Sequence, residues 1–128
     1  MAVARGVDVR LIVSGDSDVP IPLGHAATQL ARSGVRVYRM YGERLIHAKT
    51  MLVDDAWALI GSFNWDPVSA VNLELGVSLC DPERVAQLEE QWHRDLADCK
   101  PLHIYPENEL KNWWGAFVYR VSRIYPTR

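Results

Sequence analysis

Cysteine is scarce: the 128 residues contain two, Cys80 and Cys99. They form no CxxC pair and no secreted disulfide framework, so a reducing compartment is expected. Long hydrophobic runs are missing as well. No stretch approaches 18 uninterrupted apolar residues, which excludes a membrane-spanning helix of that kind. The opening residues MAVARGVDVR lack the apolar core of a signal peptide, because Arg5, Asp8 and Arg10 interrupt it. Nor does charge of one sign dominate. Fourteen basic residues face 16 acidic ones, a formal net charge of -2. Nothing global pulls the chain toward nucleic acid or anionic membranes, and any such attraction has to be local. Repeats and low-complexity stretches are absent. What remains is an ordinary globular composition, 48% hydrophobic and 23% charged, at a length that suits one domain or part of one.

The order of patterns along the chain points to an α/β fold. Val7 to Val13 is a β-branched run that reads as a strand. Pro22 to Arg32 has helical spacing, with Leu23, Ala26, Ala27, Leu30 and Ala31 on one side, and Gly34 is placed to end it. Val35 to Met40 alternates as a second strand. Strand, helix, strand in this order predicts a parallel layer. Two further apolar runs, Leu45 to Val53 and Ala56 to Ile60, flank Asp54-Asp55, where a tight hairpin is expected. Asn64 to Ser69 is read as a loop or short helical turn, Asn72 to Leu79 as another strand. Asp81 to Asp98 is read as a helix carrying Val85, Leu88, Trp92 and Leu96 at helical spacing. The fold class expected is therefore α/β, a mixed and mostly parallel sheet flanked by helices, over residues 1–100. Residues 101–128 form a Trp- and Arg-rich C-terminal extension.

One constellation carries chemistry. His47 and Lys49 are two apart in an expected strand, so alternation puts both on one face. Ser62 and Asn64 repeat that spacing after the next strand. Four polar side chains then converge at one edge of an otherwise apolar sheet. A histidine can attack phosphorus or protonate a leaving alcohol. A lysine and an asparagine can hold phosphoryl oxygens as charge develops, and a serine hydroxyl adds a donor. A histidine and a lysine in a strand are commonplace by themselves. The full string, HxK, four residues, Asp, six residues, GSxN, fixes six identities between His47 and Asn64, and chance agreement over that span is remote.

The string His47-Ala-Lys49-Thr-Met-Leu-Val-Asp54, with Gly61-Ser62-Phe-Asn64, resembles the HKD motif of the phospholipase D superfamily. The flanks extend the likeness from about Ala4 to about Asp98. Arg5-Gly-Val-Asp-Val-Arg10 resembles the strand upstream of the motif in bacterial cardiolipin synthases, and Asn64-Trp-Asp66-Pro67 with Asn72-Leu-Glu74-Leu resembles the segment after it. The closest likeness is to the C-terminal half of a two-motif enzyme. The resemblance implies that His47 faces a second histidine across the scissile phosphate, one forming a phosphohistidine and the other, by precedent His47, serving as acid and base. It implies that Lys49 and Asn64 bind phosphate oxygens and that Glu74 hydrogen-bonds a motif histidine. Asp54 is then structural, Gly61 permits close backbone approach, and Ser62 supports the site. No metal or other cofactor is implied.

The family places two HKD motifs in each active site, and this chain has one. A homodimer or a missing half is the expected source of the second. The RGVDVR-like strand also comes early, so the half-domain is expected to lack its first strand. His25, His93 and His103 are read as packing or surface residues, Asp55 as a turn residue and Arg44 as a solvated loop residue. Residues 112–125 pack aromatics and arginines together; on a helix Trp113, Phe117, Val121 and Ile124 share one face, suited either to a membrane surface or to the domain core. The function expected is phosphatidyl transfer between phospholipids, with phosphatidylglycerol as substrate, by a peripheral protein on the cytosolic side of a bacterial cytoplasmic membrane. The rivals are a hydrolase with the same site, phospholipase or nuclease, and an inactive half-site. A nuclease calls for a basic groove, which the net charge of -2 does not favour.

Overall fold

A computed structural model describes residues 2–15, 20–42, 46–64 and 69–104, with side chains from residue 24 onward in the first helix. The C-terminal aromatic segment, Arg44 and residues 65–68 of the Asn64–Ser69 loop lie outside the described residues. The chain forms two compact units, Met1–Ile46 with Asp98–Arg128, and His47–Ala97.

In the first unit, strand β1 (Arg10–Ser14), helix α1 (Pro20–Arg32) and strand β2 (Arg36–Met40) follow the expected order. β1 and β2 pair in parallel, Leu11 opposite Val37. A short strand, Cys99–Pro101, adds to the far side of β2 in antiparallel sense. The core follows from two periodicities. Ala27 and Ala31, one helical turn apart, sit with Leu11 and Val13 of β1, Val35 and Val37 of β2, and Leu102. Leu30 of the same helix remains exposed, so small alanines rather than the leucine carry the packing. Helix α1 ends as Gly34 predicts. Gly34 has φ +90, its N–H bonds to the Ala31 carbonyl at 3.0 Å, and the Val35 N–H reaches Leu30 at 3.1 Å. This is the paired closure of a left-handed helix cap.

The strand expected from Val7 begins at Arg10. Arg10 and Arg36 stand opposite each other in the ladder, two like charges that repel. Asp8 offsets this by accepting from Arg36 Nε at 2.7 Å and Arg10 Nε at 2.8 Å. The two guanidinium groups, Arg36 first, hold the Asp8 carboxyl down to about 2 from an ordinary 3.8.

In the second unit, β3 (Thr50–Val53), β4 (Trp57–Gly61) and β5 (Gly76–Leu79) form an antiparallel sheet with β4 in the middle. Helix α2 (Pro82–Ala97) follows. Asp54 and Asp55 make the hairpin turn with φ of +50 and +53, the left-handed geometry of primed turns, which aspartate tolerates better than most residues. Helix α2 is capped by Asp81, whose carboxylate accepts the Arg84 N–H at 3.0 Å. Val85 is fully buried, as is Ala58 of β4, while Leu88, Trp92 and Leu96 are half-buried. The stripe read from the sequence is the one that packs.

The mixed α/β class holds, but parallel pairing is narrower than expected. Among the described residues it is confined to β1–β2, and the other three ladders are antiparallel. The β1–β2 connection runs through helix α1, a crossover that returns the chain in the same direction. The runs read as strands over Leu45–Val53 and Asn72–Leu79 are also cut back, to Thr50–Val53 and Gly76–Leu79.

Candidate functional site

That shortening changes how the site is built. His47 and Lys49 lie in the irregular lead-in to β3 rather than within a strand, so strand alternation does not align them. Lys49 Nζ donates to the backbone carbonyl of His47 at 2.7 Å. The hairpin ladder continues one step past β3, with the Gly61 N–H bonding to the Lys49 carbonyl at 3.0 Å. Lys49 and Gly61 therefore stand opposite each other at the open end of the hairpin. Asp54 is at the closed end, roughly 16 Å away along the strand at about 3.3 Å per residue. The third letter of the motif is a turn residue, exposed and left-handed, and does not join the others.

At the open end, β4 runs on into Ser62, Phe63 and Asn64 while the chain returns through Glu74 into β5. The two segments are tied together. The Ser62 N–H bonds to the Leu75 carbonyl at 2.9 Å, and the Leu75 N–H donates back to Ser62 Oγ at 3.0 Å. Ser62 Oγ in turn donates to Glu74 Oε2. So close an approach needs a glycine at position 61, because a Cβ there would lie 2.4 Å from the Leu75 carbonyl oxygen. Lys49, Leu59, Gly61, Phe63, Glu74, Leu75 and Gly76 line a small open hollow of about 90 Å³. A cation and an acid thus share one apolar-floored depression.

The remaining residues sit around it. Asn64 is exposed, and its backbone N–H donates to Ser69 Oγ at 3.1 Å. The His47 ring is exposed, with no hydrogen-bond partner among the described residues. The Glu74 carboxylate, expected to hold a histidine, takes its hydrogen bond from Ser62. Sequence reasoning missed Ser69, a buried hydroxyl at the start of a short 3-10 turn; a lone serine after a Pro-containing loop carries no signal of burial. It also missed Phe63 and Leu75, apolar neighbours that only the returning chain brings to the hollow. No group of His, Cys, Asp and Glu suited to a metal occurs among the described residues.

The sequence model of the family described as cardiolipin synthase, PLD-like domain, matches residues 1–96. The chain belongs to this family. Cardiolipin synthase B of Salmonella typhi is 37% identical over 121 residues, covering 89% of this chain and 28% of that protein. Cardiolipin synthase B of Escherichia coli K12 is 35% identical over the same length and coverage. Cardiolipin synthase A of Pseudomonas putida F1 is 34% identical over 106 residues, 80% of this chain and 22% of that protein. The PLD-like chain thus spans about a quarter of the length of these relatives. Among solved structures, a phospholipase D family member, Nuc from Salmonella typhimurium, superposes with a TM-score of 0.69 at 23% identity, over 80% of this chain and 69% of that one. That likeness concerns the fold alone.

Proposed function

We propose that this PLD-like chain, a catalytic half-domain over residues 1–100, supplies one half of a phosphatidyl-transfer site. The observation that carries the reading is the intact motif within a family match over residues 1–96, its Lys49 and Glu74 lining one hollow at the open end of a single hairpin. In this reading a histidine nitrogen of the second half attacks phosphorus of a phosphatidylglycerol, and glycerol leaves with a proton from His47. The hydroxyl of a second lipid then gives its proton to His47 and attacks the phosphohistidine, releasing the diphosphatidyl product and restoring both histidines. Lys49, with ammonium protons to spare beyond the one on the His47 carbonyl, and the exposed Asn64 amide hold the phosphoryl oxygens. Glu74 orients a motif histidine, Gly61 keeps the backbones in contact, and Asp54 supports the site by closing the hairpin. No cofactor takes part. With water as acceptor the same groups give a phosphodiester hydrolase.

The second motif comes from another PLD-like half, in a homodimer or in a longer chain. The surface beside Glu74 supports this. Leu73 is wholly exposed, and Val71, Leu75 and Val77 are more than half exposed, along the edge strand β5 and its lead-in. Contiguous apolar surface of this kind marks an interface. No described helix is long and apolar enough to cross a membrane; attachment is peripheral, on the cytosolic side, with residues 112–125 meeting the lipid surface.

The test uses the full chain on phosphatidylglycerol vesicles, with single-stranded DNA in parallel, following lipid products and released glycerol. Glycerol release with a diphosphatidyl product is the expected result, and His47→Ala lowers it by at least about a hundredfold, the scale of a lost acid–base group. Unchanged turnover in that variant refutes the assignment of His47, and cleavage of DNA without lipid turnover refutes the substrate.

A further inference from the structure

We propose that Ser62 is a positioning residue for Glu74 rather than a ligand for phosphate. The motif alone invites the opposite view, since a hydroxyl beside Lys49 and Asn64 looks like a third donor. A serine hydroxyl has one proton and two lone pairs. Here the proton goes to Glu74 Oε2, and a lone pair takes the Leu75 N–H at 3.0 Å. An ionised carboxylate only accepts hydrogen bonds, so the serine has to be the donor in that pair. Nothing is left to offer a phosphoryl oxygen, which also needs a donor, and a remaining lone pair would repel one. The motif's free donors are then Lys49 and the Asn64 amide.

Glu74 needs such a tie because it lies in the irregular stretch before β5, which begins at Gly76. The ladder that fixes β5 against β4 ends at the Gly61–Gly76 pair. Beyond it, Ser62 grips residues 74 and 75 at three points: its N–H on the Leu75 carbonyl, its Oγ under the Leu75 N–H, and its proton on the Glu74 carboxylate. The charged acceptor makes the last of these the strongest. Ser62 thereby sets where the acid stands at the rim of the hollow it shares with Lys49.

The kinetic side of this inference rests on the proposed function, so the experiment pairs it with a readout that does not. Ser62→Ala, Glu74→Ala, the double variant and Ser62→Thr are compared in the full chain. On phosphatidylglycerol vesicles, each single alanine lowers kcat about tenfold or more with KM little changed, and the double variant is no slower than Glu74→Ala, the non-additivity of groups that act as a unit. Ser62→Thr, which keeps the hydroxyl, recovers most of the rate. Losses that multiply in the double variant, or a Ser62→Ala effect confined to KM, show a hydroxyl on the substrate and overturn the proposal. The second readout is exchange of the Leu75 amide proton. Each single alanine speeds it, the first by removing the acceptor and the second by freeing the hydroxyl to turn, and the double variant exchanges no faster than Ser62→Ala. Leu75 protection that ignores Glu74 overturns the proposal even if the chain turns over no lipid, whereas an inactive chain with the expected exchange pattern refutes only the proposed function.

Discussion

Replacing Gly61 by alanine tests the close approach that builds the site. The added Cβ would lie 2.4 Å from the Leu75 carbonyl oxygen and 3.1 Å from Gly76 Cα. Both obstacles are backbone, so neither can turn aside. Ordinary contact begins at 3.4 Å, and the strands have to part by about an ångström to reach it. The Ser62 N–H bond to Leu75 at 2.9 Å and the Leu75 N–H bond to Ser62 at 3.0 Å do not survive that movement. Two hydrogen bonds at about 0.5–1.5 kcal/mol each, with overpacking strain of about 1–3 kcal/mol, give a combined cost of about 2–4 kcal/mol, less than the full sum because the same movement relieves the strain. For a domain of this size that is roughly 10–20 °C in Tm. The control is Gly76→Ala, whose Cβ meets only the tip of Leu59 at 3.3 Å, a side chain that can rotate; its cost is below about 1 kcal/mol. Urea and thermal unfolding of the two variants are compared with the parent. If Gly61→Ala unfolds within about 0.5 kcal/mol of the parent, or no differently from Gly76→Ala, the close approach is not what Gly61 provides, since ordinary surface changes fall in that range.

Two further predictions concern the scaffold. Asp8 has a folded-state pKa held to about 2, below the ordinary 3.8, so its contribution is present above the unfolded value and disappears as pH falls through the folded one. The stability difference between the parent and Asp8→Asn is therefore constant above pH 5 and shrinks between about pH 4 and pH 2 in acid unfolding curves; a difference that grows on acidification contradicts the Arg10–Asp8–Arg36 arrangement. Asp81→Ala removes the cap on the Arg84 N–H and lowers stability by about 1 kcal/mol in urea titration, while Asp81→Ser retains most of it; equal losses in the two variants exclude capping as the cause.

The family was legible because it rests on identities at fixed spacing, and these survive any uncertainty about local structure. The resemblance drawn from His47, Lys49, Asp54, Ser62 and Asn64 agrees with the family match over residues 1–96. The first-unit order was legible too. Gly34 and the β-branched runs around α1 act through local sterics, which neighbours along the chain decide. The apolar stripe of α2 was equally plain, since a 3.6-residue period repeats over four turns.

Pairing was less visible. Periodicity says that a residue favours a strand, not where its partner stops. The runs over Leu45–Val53 and Asn72–Leu79 have strand-like composition throughout, yet their pairings with β4 end near the Lys49–Gly61 and Gly61–Gly76 steps, leaving His47 and Glu74 in irregular backbone. The partners of Ser62 and Ser69 were hidden for the same reason: a hydroxyl bonds whatever the fold brings within about 3 Å. By itself the sequence determined the family, the α/β class, the close of α1 at Gly34, the Asp81 cap of α2, the hairpin turn and the identity of the chemical groups, all set by local sterics or by identity. Only the tertiary structure decided that Asp54 stands apart from the site, that Lys49 and Glu74 share a hollow, and that the Ser62 proton is spent on Glu74, because each depends on which segments meet across the sheet.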